Sequence, residues 1–437
     1  MDGPKVSRLL SYRQREAFGL QSCAVRQARD LYLSAAGPID PFKPRRGCCP
    51  IRKGFGTNHD VRPPRYRRIN TQKDHLSVPW PSRPSISSGN LSFTMGTMKA
   101  VVIHEAGGPE VLKLETIPIP TPQDDEVLIR VKAFGLNRSE LFTRQGYSPA
   151  VKFPRVLGIE AVGIVDKCPG GQFKPGQKVA TCMGGMGRAF NGGYAEYTCV
   201  KASNVQALDS DLDWTVLGAA PEMLQTAYGS LFKALRLKSD DRLLIRGGTT
   251  SVGLAAAAIA KNHGCFVAAT TRNSGAPTAE IMHKNGVDQV IVDDGNVAEQ
   301  VKEHKFDKVL ELVGTVTLED SLRCAAGYGI VCMAGIVGKS ECPQSSLPSL
   351  ADRWQGNKWT LDNFSPTESI PITVYLTVYG GGPEEFKETP LNELLKQIEA
   401  GTLHIQVGKV FHLDEIVKAH DTMEKNLARG KIVVLTE

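Results

Sequence analysis

The stretch Leu243-Leu244-Ile245-Arg246-Gly247-Gly248-Thr249-Thr250-Ser251-Val252-Gly253 decides the reading of this 437-residue sequence. A short apolar run ends at two glycines, and an alanine-rich segment, Val252 to Asn262, follows at once with Gly264 as its stop. Strand, tight turn and helix in that order bring backbone N–H groups and a helix N-terminus up to a pyrophosphate. Glycine allows the turning and the close approach. Gly247, Gly248, Thr249, Thr250, Ser251, Val252 and Gly253 are therefore the expected cofactor-binding residues. Thr250 stands where a middle glycine is usual, and its hydroxyl, with those of Thr249 and Ser251, is expected to donate to a phosphate oxygen.

The end of the next strand, Phe266-Val267-Ala268-Ala269-Thr270-Thr271-Arg272-Asn273, discriminates between the two nicotinamide cofactors. An acidic residue there would hold a ribose 2′-hydroxyl and repel a 2′-phosphate. Thr271 and Arg272 offer donors and positive charge instead, which predicts NADPH.

Outward from this turn, Gln289 to Val292, Lys308 to Leu312 and Gly329 to Met333 read as further strands separated by helical stretches, which predicts a doubly wound parallel α/β sheet. Before it, Lys99 to Ile103, Glu126 to Lys132, Glu160 to Val165, Lys178 to Thr181 and Ala195 to Val200 are short β-branched runs bounded by Gly and Pro, so residues 98–221 form a β-rich module. The parallel sheet is expected over 222–362. From 363 to 437 the pattern returns to mixed elements, with an amphipathic helix at Leu391 to Glu399 and a closing strand at Lys431 to Leu435.

Residues 1–97 differ in composition. They hold 17 Lys and Arg against 6 Asp and Glu, leaving 35 against 40 for the remainder, so the net charge of +6 belongs to this front segment alone. Rich in Pro, Arg and Ser, it buries too little apolar surface to offset the entropy of ordering, and disorder is the expectation. A transit peptide, a nucleic-acid-binding arm around Tyr66, and a start further along at Met95 or Met98 are the competing readings. The ten cysteines form no C-x-x-C pair, which points to reduced thiols, not a zinc or disulfide framework. No run approaches the roughly 20 apolar residues that cross a bilayer. A soluble cytoplasmic protein is expected, with mitochondrial import as the second reading.

Taken together, Gly135-Leu136-Asn137-Arg138-Ser139-Glu140-Leu141, Leu157-Gly158-Ile159-Glu160, Gly192-Gly193-Tyr194-Ala195-Glu196-Tyr197, Leu224-Gln225-Thr226-Ala227-Tyr228 and Gly430 to Val434 resemble the medium-chain dehydrogenase/reductase superfamily. The closest branch resembles the zinc-independent quinone oxidoreductases, and the resemblance covers about 340 residues. It implies a β-rich, GroES-like catalytic domain interrupted by a Rossmann NADPH-binding domain, with the active site in the cleft between them. It further implies that Asn137 and Thr226 lie near the nicotinamide and that Gly335 and Ile336 flank its ring. A homodimer is expected by analogy alone.

Zinc-dependent members carry a cysteine ligand in the first of these motifs and a histidine just before the glutamate of the second. Asn137 and Ile159 supply neither thiolate nor imidazole, so no metal is expected. Without a Lewis acid the chemistry expected is hydride transfer to a quinone or an α,β-unsaturated carbonyl. Tyr147 is the candidate proton donor, with the Tyr194 hydroxyl behind it. Two alternatives remain open: an enoyl-thioester reductase of fatty-acid or polyketide synthesis, and a non-catalytic NADPH-binding protein whose basic arm grips nucleic acid.

Overall fold

Six strands lie side by side in the order Gln289–Val292, Phe266–Thr271, Arg242–Arg246, Phe306–Glu311, Ala325–Met333 and Tyr375–Val378. Every neighbouring pair is parallel. Numbered along the chain the order is 3-2-1-4-5-6, that of the Rossmann fold, with its switch point between the first strand and the fourth. The computed structural model describes residues 96–337, 361 and 364–437. Nearly all of the basic front segment, and with it every reading of that segment, lies outside the described residues.

The first strand shows why its sequence is apolar throughout. Leu243 and Ile245 pack into one core with the alanine-rich helix Ser251–Asn262, whereas Leu244 packs into another with Val297, Leu318 and Leu322. All three strand residues are fully buried, and each such burial contributes roughly 1.5–3 kcal/mol. A strand covered on both faces needs no alternation. The expected doubly wound sheet is therefore what forms.

Arg246 closes that strand and is itself buried, with one guanidinium nitrogen 2.6 Å from Asp320 and another 2.8 Å from Asp293. The pair ties the base of the turn to the helix Thr315–Cys324 and to the loop after Gln289–Val292.

The remaining strands build the β-rich domain. Val407–His412, Lys431–Leu435, Glu126–Gly135, Glu160–Lys167, Lys178–Cys182 and Val205–Ala207 follow one another in one sheet, with Tyr197–Lys201 also paired to Glu126–Gly135. Lys113–Pro118, Thr97–Ile103 and Arg155–Val156 form a second, smaller sheet. Lys431–Leu435 returns antiparallel to Glu126–Gly135 with Val433 opposite Gly135. The chain thus leaves one domain, builds the parallel sheet, and comes back. The return falls later than residue 363, because Tyr375–Val378 is the sixth parallel strand. Tyr375 and Val378 are both exposed, so this edge strand offers no buried face for a period-two pattern to report.

Candidate active site

The glycine turn sits at the carboxyl end of the first parallel strand, at the switch point. Gly247 has φ +83°, a conformation L side chains rarely adopt. Its N–H donates to the Thr270 hydroxyl at 3.1 Å, and the Gly248 N–H donates to the Thr270 carbonyl at 2.9 Å. Thr250 needs no glycine, since its φ is −72°. Its hydroxyl donates to the Gly247 carbonyl at 2.8 Å and accepts from the Gly253 N–H at 3.0 Å. It therefore caps the helix, a task that differs from the outward donation expected of it. Thr249 is exposed beside it, and Ser251 and Val252 are half-buried in the first helical turn. Thr271 is buried, with its hydroxyl accepting from the Asn273 N–H at 3.1 Å, while Arg272 is exposed at the end of the strand. Gly335 and Ile336 follow the fifth strand, and Ile336 packs into the core of the β-rich domain, so this loop joins the two domains.

Asn137 lies at the head of the helix Arg138–Arg144, inside a buried ionic cluster. The Lys431 ammonium is at its centre, 2.5 Å from Asn137 Oδ1, 2.9 Å from Glu160 Oε1 and 3.3 Å from Glu222 Oε2. The Asn137 amide N–H donates to Glu160 Oε1 at 2.9 Å, and the other Glu160 oxygen accepts the Glu222 N–H at 2.8 Å. Glu140 Oε1 accepts the Ile159 N–H at 3.1 Å. Glu222 stands in the first turn of the helix Pro221–Tyr228, and its Oε1 accepts the Thr226 hydroxyl at 2.9 Å. Asn137 and Thr226 are thus joined through Lys431 and Glu222.

Local structure makes this convergence fit. The pairing of Lys431–Leu435 with Glu126–Gly135 brings Lys431 beside Gly135, where a Cβ would stand 2.4 Å from both Glu160 Oε1 and Lys431 Cε. Glycine is required there by space alone. Burial opposes the Lys431 charge, but Glu160 and Glu222 outweigh it and hold the ammonium above the usual lysine range. Burial pushes the Glu140 carboxyl up to about 8, with the neighbouring Glu160 charge adding to it, so Glu140 is neutral at pH 7. Its second oxygen, Oε2, is buried without a hydrogen-bond partner. Burial and the same carboxylates keep the Cys182 thiol protonated.

Residues 123–210 match the alcohol dehydrogenase GroES-like domain model, and residues 285–434 match the zinc-binding dehydrogenase model. The quinone oxidoreductase of Pongo abelii is 29% identical over 348 residues, covering 77% of this chain and 98% of that protein. Quinone oxidoreductase 1 of Escherichia coli is 26% identical over 344 residues, covering 77% and 98%. Among solved structures, E. coli quinone oxidoreductase complexed with NADPH superposes with a TM-score of 0.64 at 25% identity, covering 77% of this chain and all of that one. A mycobacterial protein complexed with NADPH gives 0.65 at 25% identity, covering 78% and 100%. The chain belongs to the medium-chain dehydrogenase/reductase superfamily, in its quinone oxidoreductase-like branch.

Within that superfamily the departures of this member become physical. The Asn137 amide is engaged on both sides by Lys431 and Glu160, and Ile159 is a buried hydrocarbon. Among the described residues no group of three or more His, Cys, Asp or Glu could hold a metal ion. Tyr147 is not in the cluster: it is 61% exposed and meets Phe142 edge-on at 6.3 Å. Tyr194 is fully buried, stacked on Phe134, with its hydroxyl 3.1 Å from His420 Nε2. Burial drives the His420 pKa down to about 3. The half-buried Cys199 thiol is pushed up to about 12 by burial and by Glu126, so neither it nor Cys182 is a reactive thiolate.

Glu140, Glu160, Glu222 and Lys431 form the ionic cluster, yet sequence reasoning gave none of them a role. Glu222 after Pro221 reads as an acid favouring a helix N-terminus, and Lys431 reads as the polar start of a strand. The signal that remained was an isolated charge opening an otherwise apolar run.

Proposed function

We propose that this chain is an NADPH-dependent reductase that delivers hydride to a quinone or an α,β-unsaturated carbonyl and works without zinc. The observation that carries this reading is the Gly247–Gly253 turn at the switch point of a 3-2-1-4-5-6 sheet, followed one strand later by exposed Arg272 in place of an acid. These residues fit a dinucleotide phosphate. Gly247 to Gly253 would hold the pyrophosphate at the N-terminus of the helix Ser251–Asn262, and Thr271 and Arg272 would hold the 2′-phosphate. Gly335 and Ile336 would flank the ring. NADPH supplies the hydride when bound. The protein's own part is to place Thr226 and the ionic cluster beside the acceptor and to keep water from the buried side.

Zinc independence is supported by the donor set. Asn137, where the resemblance implies a thiolate, is an amide bound to the Lys431 ammonium, and Ile159, where it implies an imidazole, is a buried hydrocarbon, so neither side chain is a zinc ligand. Reduction of a quinone takes up one hydride and one proton, and an enone does the same across its C=C bond. Tyr147 remains the proposed proton donor, and its 61% exposure places its hydroxyl in easy exchange with solvent. The likeness to quinone oxidoreductases favours quinones over enoyl thioesters, and no feature of the cluster favours the thioester reading.

The test is NADPH oxidation by the full chain with a panel of quinones, enones and enoyl thioesters. Turnover with quinones or enones above the thioesters is expected. Thioester preference would replace the substrate class, and no oxidation with any acceptor would leave a binding protein instead of an enzyme.

A further inference from the structure

The four ionisable groups of the cluster are not equally buried. Lys431, Glu160 and Glu140 are at most 1% exposed, whereas the Glu222 side chain is 16% exposed. Glu222 is therefore the member that connects the buried charge to the accessible side. It does so with both oxygens, Oε2 to the Lys431 ammonium at 3.3 Å and Oε1 to the Thr226 hydroxyl at 2.9 Å. With its proton committed to Glu222, the half-buried Thr226 Oγ1 has only lone pairs left to present.

Asn137, Glu160 and Glu222 surround this ammonium. Asn137 offers its amide oxygen to Nζ, an orientation fixed by opposite charges on either side: ammonium at Oδ1, Glu160 carboxylate at Nδ2. A neutral side chain in place of Lys431 would leave Glu160 and Glu222 facing one another without a compensating charge, because their other donors, the Glu222 N–H, the Asn137 amide and the Thr226 hydroxyl, are all neutral.

We propose that the Lys431 ammonium is the resident cation of this site, and that through Glu222 it fixes Thr226 Oγ1 as a hydrogen-bond acceptor for an N–H-bearing ligand group. Lys431 and Glu222 are thus positioning residues and Thr226 is the group that touches the ligand. The ligand chemistry this selects is a primary amide such as the carboxamide of a nicotinamide ring, so the second half of the inference rests on the dinucleotide reading above. The first half does not.

Lys431→Ala in the full chain separates the two halves. The thermal midpoint is measured without cofactor in increasing ethylammonium chloride, with ethanol as the uncharged control of similar shape. Ethylammonium is expected to restore at least half of the lost midpoint and ethanol little of it. Equal rescue by both would show that Lys431 only fills space and would overturn the resident cation. NADPH affinity is then measured by fluorescence in Glu222→Gln, Thr226→Val and the double variant, all of which keep Lys431 paired with Glu160 and remain informative should Lys431→Ala not fold. About tenfold weakening is expected in each single variant, with no further loss in the double. Losses that multiply, or wild-type affinity in Glu222→Gln, would overturn the link through Glu222. A wild-type chain that does not bind NADPH would overturn the dinucleotide reading and the ligand half with it, while the ethylammonium result still decides the cation.

Discussion

Glu140 is the residue whose charge state the fold alters most plainly. An exposed glutamate releases its proton near pH 4.5, but burial and the adjacent Glu160 charge raise this one to about 8. Between those values the folded state holds a proton that the unfolded state has lost, so stability falls as pH rises through the window and levels off above about 8. Glu140→Gln keeps the acceptor for the Ile159 N–H and removes the titration. Urea unfolding at pH 5 and pH 9 should show the variant gaining on the wild type by on the order of 3 kcal/mol. A difference that does not change with pH would mean that Glu140 ionises normally. At this scale the sequence was only partly legible. The motifs that hold Asn137 and Ile159 could be picked out in the chain. Lys431 could not be placed beside them, because it lies 294 residues from Asn137 in the chain and its burial depends on strand pairing.

Among the elements, the helix Ser251–Asn262 depends on its N-cap residue, Thr250, for more than a start. Thr250 caps it through the Gly253 N–H and also braces the Gly247 carbonyl, so one hydroxyl holds both ends of the turn. Thr250→Ala should cost about 1 kcal/mol of stability in urea, and Thr250→Ser should retain most of it. If Thr250→Ala instead left stability intact and weakened NADPH binding more than tenfold, the hydroxyl would serve the phosphate, as the sequence alone suggested. Central elements were legible because their burial imposes a pattern. Leu243 to Ile245 are apolar for two cores, and Leu391–Glu399 shows one apolar stripe with Leu391, Leu394 and Leu395 inside. Lys113–Pro118 has no fully buried residue and Tyr375–Val378 lies at a sheet edge, so nothing in their side chains announced them.

For the molecule as a whole, the consequence of the chain's return is chemical as well as architectural. The last strand pairs into the β-rich sheet and brings Lys431 to the ionic cluster, while the inserted sheet carries the glycine turn and Arg272. The domain plan was visible in the sequence because a period-two region gives way to alternating strands and helices. The return point was not, since the sixth parallel strand carries no pattern of its own. The central claim is that this assembled cleft reads a 2′-phosphorylated nicotinamide dinucleotide, and fluorescence titration of wild type and Arg272→Ala with NADPH and NADH tests it most directly. The account predicts that the wild type binds NADPH at least tenfold more tightly than NADH and that Arg272→Ala removes most of that preference, mainly by weakening NADPH. Equal affinity for the two cofactors in the wild type, or equal losses for both in the variant, would contradict it.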